Sequence, residues 1–242
     1  MSETPSEPMN SVLRLASAAF AVLLALLVAS AVTTPVSEFA VSLGLVGAGT
    51  TGLQVFRTLL QFVGFLGAVV GYLAITDQWG LVGVSRPTLR DAGLVLGGGI
   101  ALFAFQYGAL FVLGEIGLTT GQNQAVVPDG DPVTYYLVMV AVSLFVVGPV
   151  EEALFRGVVQ GGLRRAFDAV PAILLASLAF GLVHLPSVSG SPGERWAYVA
   201  VVVVLGAVLG VLYERTENVV VPGLAHGVYN AVIYVVLLAQ SL

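Results

Sequence analysis

The stretch VTYYLVMVAVSLFVVGPVEEALFRGVVQGG, residues 133–162, is apolar along nearly its whole length yet carries Glu151, Glu152 and Arg156 in its second half. A helix needs about 20 predominantly apolar residues to cross a bilayer core, whereas a membrane strand needs only about 9–11. A run of this length is therefore a transmembrane helix, in which every backbone polar group is satisfied internally. Ionisable groups inside such a helix are costly and must be paired, wet or chemically employed.

Working outward, further apolar runs occupy residues 12–32, 54–76, 93–114, 170–186, 197–213 and 219–240, which gives seven candidate spans. Arg86-Pro87, Pro128 through Pro132 and Pro186 through Gly193 break the chain between them. The chain is 57% hydrophobic and 10% charged, so the fold class is an all-α, polytopic transmembrane bundle. The Gly-, Ser- and Thr-rich stretch 34–53 reads as a loop, or as an eighth short or re-entrant element. Residues 1–10 read as a disordered polar tail and 11–242 as one transmembrane domain. Ala29-Ser30-Ala31 resembles a signal-peptidase site, but the preceding run is longer than a usual signal core, and the first helix is expected to be retained.

Composition excludes several classes of function. There is no Cys, hence no disulfide, thiolate metal site or thiol nucleophile. All nine basic residues are Arg, and a net charge of −5 provides no footprint for nucleic acid. In a seven-span alternation Arg14, Arg86, Arg90, Arg164, Arg165 and Arg215 fall on one side. Glu38, Glu115, Asp129, Asp131 and Glu194 fall on the other, with Arg195 against the trend. The positive-inside rule then predicts a multi-pass cell-membrane protein with a cytoplasmic N-terminus and an external C-terminus. The polar cavity is expected to open towards the arginine-rich side.

Three polar clusters share a four-residue spacing: Glu152 with Arg156, Phe180 with His184, and His226 with Asn230. Residues four apart lie one turn apart on one helix face, whereas neighbours diverge by about 100°. Glu152 and Arg156 can thus neutralise each other, which leaves Glu151 without a local counter-ion. A buried carboxylate of that kind suits a general base, with His184 as its expected partner. His226 and Asn230 can both donate hydrogen bonds to an oxygen that gains negative charge. Phe155, Phe180, Tyr229 and Tyr234 read as packing or cavity lining, and Gly157, Gly161, Gly162, Gly181, Gly206 and Gly210 as close helix contacts.

Taken together and in this order, Glu151-Glu152-x-x-x-Arg156, Phe180-x-x-x-His184 and His226-x-x-x-Asn230 resemble the three motifs of the CPBP intramembrane proteases, which include the type II CAAX prenyl endopeptidases and bacteriocin-processing or immunity proteins. The resemblance covers residues 133–240. It implies an endopeptidase in which Glu151 and His184 activate a water, His226 and Asn230 hold the oxyanion, and Glu152, Arg156 and Phe180 support them. It implies a lipid bilayer and a peptide or protein substrate as partners. A divalent metal such as zinc on Glu151, His184 and His226 is the alternative to a metal-free, glutamate-activated water, but the His-Glu-x-x-His spacing of soluble zinc proteases is missing. The metal-free form, which requires no cofactor, is preferred. The rival readings are a proton- or ion-coupled transporter and a catalytically silent immunity or scaffold protein of the same fold.

Overall fold

The computed structural model describes residues 7–242, and among them seven helices are long and apolar enough to cross a membrane. They are α1 Glu7–Ser42, α2 Thr51–Thr76, α3 Leu89–Glu115, α4 Pro132–Leu163, α5 Ala169–His184, α6 Pro192–Thr216 and α7 Val220–Ser241. Five of the seven apolar runs read from the sequence lie wholly within one of them, while 170–186 runs two residues past the end of α5 and 219–240 starts one residue before α7. Large apolar side chains such as Leu27, Phe111 and Phe145 face outward, as expected where the surroundings are lipid. The most buried helix is α7, while α1 and α3 are the least buried.

Helix starts follow local chemistry. Thr88 with Asp91 and Ser191 with Glu194 form reciprocal capping boxes for α3 and α6. Asp131 accepts from the Thr134 N–H at the start of α4, and Pro132 occupies the first turn, where its missing N–H costs nothing. The same Thr134 bonds hold the Asp131 carboxyl below the usual carboxylate range.

One boundary differs from expectation. The first helix continues through Pro35 to Ser42, so the stretch 34–53 is split between the end of α1, a short loop and the start of α2. Ser37 is buried there, bonding back to the Thr34 carbonyl and accepting from Arg57 of α2. That cross-helix contact gives the polar extension a reason to stay helical, and no eighth spanning helix is present among the described residues. At the other end α1 begins at Glu7, inside the stretch read as a tail, while residues 1–6 lie outside the described residues.

The two ends of the bundle are chemically distinct. At one end Arg165 reaches Gln78, Arg164 reaches Glu214, and Asn218 exchanges hydrogen bonds with the Ser85 backbone. At the other, Gln54 bonds the backbone at Val127 and Asp129, and Thr119 donates to Glu194. Here the strands β1, Gln122–Asn123, and β2, Val188–Ser189, pair antiparallel and tie the α3–α4 connection to the α5–α6 connection.

Close approach of α4 and α7 sets the site. A Cβ on Gly148 would collide with the Gly223 carbonyl oxygen and lie 2.7 Å from the Gly227 nitrogen, and one on Gly227 would lie 2.8 Å from the Ser143 oxygen. Only glycine permits that crossing. Of the glycines read as close contacts, Gly157, Gly161, Gly181, Gly206 and Gly210 do face neighbours, but Gly162 faces open space. Its position next to Gly161 puts it on a different face of the same helix.

Candidate active site

Around Pro149, which has no N–H to donate, α4 is locally widened. The Gly148 N–H donates to the Ser143 oxygen and the Gly161 N–H to the Arg156 oxygen, five residues back rather than four. Such π-type turns recur at functional sites. Here they flank Glu151 and Glu152 and place both carboxylates against α7.

His226 stands between the two acids. Its Nδ1 is 3.0 Å from Glu152 Oε1 and its Nε2 is 3.7 Å from Glu151 Oε2. The other oxygen of Glu152 accepts from Arg156 Nε at 2.8 Å. Glu152 and Arg156 have no exposure, and His226 and Glu151 have almost none. A carboxylate already bound to a guanidinium is an acceptor, so the His226 proton on this side resides on Nδ1 and donates to Glu152. Four charged or titratable groups thus form one line, Glu151, His226, Glu152 and Arg156, from two helices.

His184 ends α5 and is only half-buried. Its Nδ1 lies 2.7 Å from the Phe180 carbonyl, one turn back, which makes Nδ1 the donor and leaves Nε2 as the acceptor in the neutral ring. Phe180 links the cluster: its ring meets His184 at 4.8 Å, His226 at 5.7 Å and Phe155 at 5.1 Å, and the Arg156 guanidinium sits 5.4 Å over it. The histidine in close contact with Glu151 is therefore His226 and not the expected His184, which is turned by its bond to Phe180 yet still interacts electrostatically with Glu151.

Asn230 lies one turn beyond His226 on α7, half-buried, with no side-chain hydrogen bond among the described residues. Tyr229 donates to Gln106 of α3, and Tyr234 packs against Tyr135 and Tyr136, which makes both packing residues. Sequence reasoning passed over Tyr198, whose hydroxyl accepts from Asn123 of β1 and interacts electrostatically with Glu151. No local spacing could have signalled it, because Asn123 and Tyr198 meet only through the β1–β2 pairing.

The half-buried member of the cluster, His184, lies at the far end of α5 from the arginines. Sixteen residues of helix separate the two, about 24 Å at about 1.5 Å per residue. His184 thus lies nearer the acidic end of the bundle than the arginine-rich end.

Glu151, His184 and His226 do not come together as a metal-holding group among the described residues, although the Nδ1 bonds of both histidines leave their Nε2 atoms free. Catalytic zinc sites use three protein ligands with an open position.

Residues 133–232 match the family described as Rce1-like, type II CAAX prenyl endopeptidase. The matched segment runs from the start of α4 into α7 and contains every motif residue read from the sequence; α1 to α3 lie outside it. No curated protein and no solved structure matches the chain. The match falls on the same part of the chain as the resemblance carried by the three motifs and agrees with it.

Proposed function

We propose that the protein is an intramembrane endopeptidase of the CAAX-protease type. The observation that carries this reading is the buried line Glu151, His226, Glu152 and Arg156, built inside the family-matched segment and within a multi-pass bundle. Glu151, within electrostatic reach of His184, takes a proton from a water whose oxygen bonds to the peptide carbonyl carbon. The carbonyl oxygen gains negative charge and is held by the Nε2–H of protonated His226 and the amide of Asn230. The proton then passes to the leaving nitrogen as the C–N bond breaks. Glu152 and Arg156 fix the imidazole of His226, and Phe180 supports both rings. No step needs a metal.

In the cell the arginine-rich end is cytoplasmic and the N-terminus lies with it. The substrate is a peptide segment of a membrane-associated protein, in keeping with a site buried between helices. Purified protein in liposomes should cleave members of a peptide library, with bound metal measured on the same sample. Cleavage that persists in Glu151→Gln rejects the assigned base. Solute uptake without cleavage by the unaltered chain points to a transporter instead.

A further inference from the structure

Arg195 stands against the arginine trend, at the acidic end of the bundle. It lies near the start of α6, half-buried, and its Nη2 donates to the Leu185 carbonyl at 3.0 Å. Leu185 directly follows His184, the last residue of α5. A cation that breaks the charge pattern is thus bonded to the backbone beside His184.

The last carbonyls of a helix have no partner within it and need one from outside. At the end of α5 the Leu182 carbonyl accepts from the Leu185 N–H, that of His184 from the Ser187 hydroxyl at 2.8 Å, and that of Leu185 from the Val188 N–H. Those donors belong to residues 185–188, so they are local to the helix end. Arg195 comes from another helix and carries a charge that suits the negative end of the α5 dipole. The start of its own helix is held in turn. Glu194 closes the capping box with Ser191, its side chain accepts from Thr119 at 2.7 Å, and its carbonyl takes the Gly121 N–H at 2.9 Å. One turn along α6, Tyr198 accepts from Asn123 at 2.9 Å, and Asn123 pairs with Val188 in the β1–β2 register. The end of α5 is thereby fastened to α6 twice, directly through Arg195 and indirectly through β1.

This anchorage bears on the His184 ring. Its Nδ1 bonds the Phe180 carbonyl at 2.7 Å, one turn back, and the bond made by one ring nitrogen sets the state of the other. Fraying of the turn between Phe180 and His184 would part the two and release both the rotation and the tautomer of the ring. We propose that Arg195 is a positioning residue for His184: by clamping the Leu185 carbonyl to α6 it keeps the last turn of α5 wound, the ring bonded to Phe180 and Nε2 as the acceptor. The inference rests on the role proposed for His184 in peptide cleavage. Arg195 acts through His184 and takes no part in the proton transfers.

Arg195→Met tests this, because it retains the stem for packing and removes every donor, while the Leu185 carbonyl keeps its bond from Val188. The chain has two histidines, so nitrogen NMR spectra of the histidine-labelled full chain in detergent resolve both imidazoles, assigned through His184→Gln. In the unaltered chain neutral His184 should be held as the Nδ1–H tautomer. In Arg195→Met it should average between both tautomers, with His226 unchanged. On a cleaved peptide the same variant should lower kcat by as much as about 100-fold, the cost of a group displaced by about 1 Å, with KM little changed. The bond to Leu185 is single rather than bidentate, so Arg195→Lys should restore most of both. An unaltered His184 tautomer in Arg195→Met, or averaging without loss of kcat, overturns the inference. An unaltered chain that cleaves nothing refutes the protease reading instead, and the tautomer then decides by itself whether Arg195 holds the ring. Should Arg195→Met not fold, Arg195→Gln replaces it with the same expectations, its amide being two bonds too short to reach Leu185.

Discussion

Glu152 accepts from Arg156 and from His226 at once, at 2.8 and 3.0 Å, without any exposure of its own. Two donors from different helices therefore depend on one carboxylate. Removing one member of such a buried pair leaves a charge unpaired in a low-dielectric interior, which costs about 3–5 kcal/mol. Arg156→Ala should destabilise the protein by that amount, read as a lowered midpoint of unfolding in detergent. Arg156→Lys should recover only part of the loss, since a point charge cannot reproduce the planar fork over Phe180. Unaltered stability in Arg156→Ala would show the bond to be dispensable.

The roles proposed for the four central residues separate by magnitude. Loss of a positioned general base reduces turnover by about 10²–10⁴-fold, so Glu151→Gln and His184→Ala should each fall in that range. Asn230→Ala should cost about 10²–10³-fold, the usual effect of one oxyanion donor. His226→Ala should be at least as damaging as Asn230→Ala, because it also leaves Glu152 without a partner. Single-turnover rates on a cleaved peptide measure all four, and near-normal turnover in Asn230→Ala would remove it from the site.

The span count and the costly polar residues that gather between α4, α5 and α7 were legible in the sequence for separate reasons. Apolar runs of bilayer length admit no other fold, and groups as costly as Glu152 and Arg156 stand out against Val and Leu at a helical spacing. The partner of Glu151 was not legible. Whether His184 or His226 approaches it depends on the rotation of α5 and α7 about their axes, which spacing within each helix does not specify. The crossing of Gly148 with Gly227 was hidden for the same reason. The extension of α1 past residue 32 rests on Ser37 meeting Arg57, a contact between helices.

The two ends of the bundle provide a clean test of orientation, because the chain has no Cys of its own. Asp168 and Asp129 are exposed at the arginine-rich and acidic ends respectively. Asp168→Cys should react with an impermeant maleimide only after the cells are opened, and Asp129→Cys in intact cells. The reverse pattern would place the N-terminus outside.

The α4–α7 crossing links stability to activity in a way that a glycine elsewhere does not. In Gly227→Ala the new methyl would sit 2.8 Å from the Ser143 oxygen and 3.0 Å from the Leu144 Cα, both backbone atoms that cannot swing aside. The helices must separate, at about 1–3 kcal/mol for overpacking. Because Gly227 adjoins His226, separation also draws the imidazole away from Glu151 and Glu152. Turnover of the folded fraction should therefore drop at least about ten-fold, more than the loss of folded protein accounts for. Gly162→Ala is the matched control: its Cβ meets nothing, and replacing a helical glycine should stabilise by about 0.5–1 kcal/mol with turnover unchanged. Thermal unfolding and peptide turnover measured on both variants decide it, and equal behaviour of the two would refute the crossing as the element that sets the site.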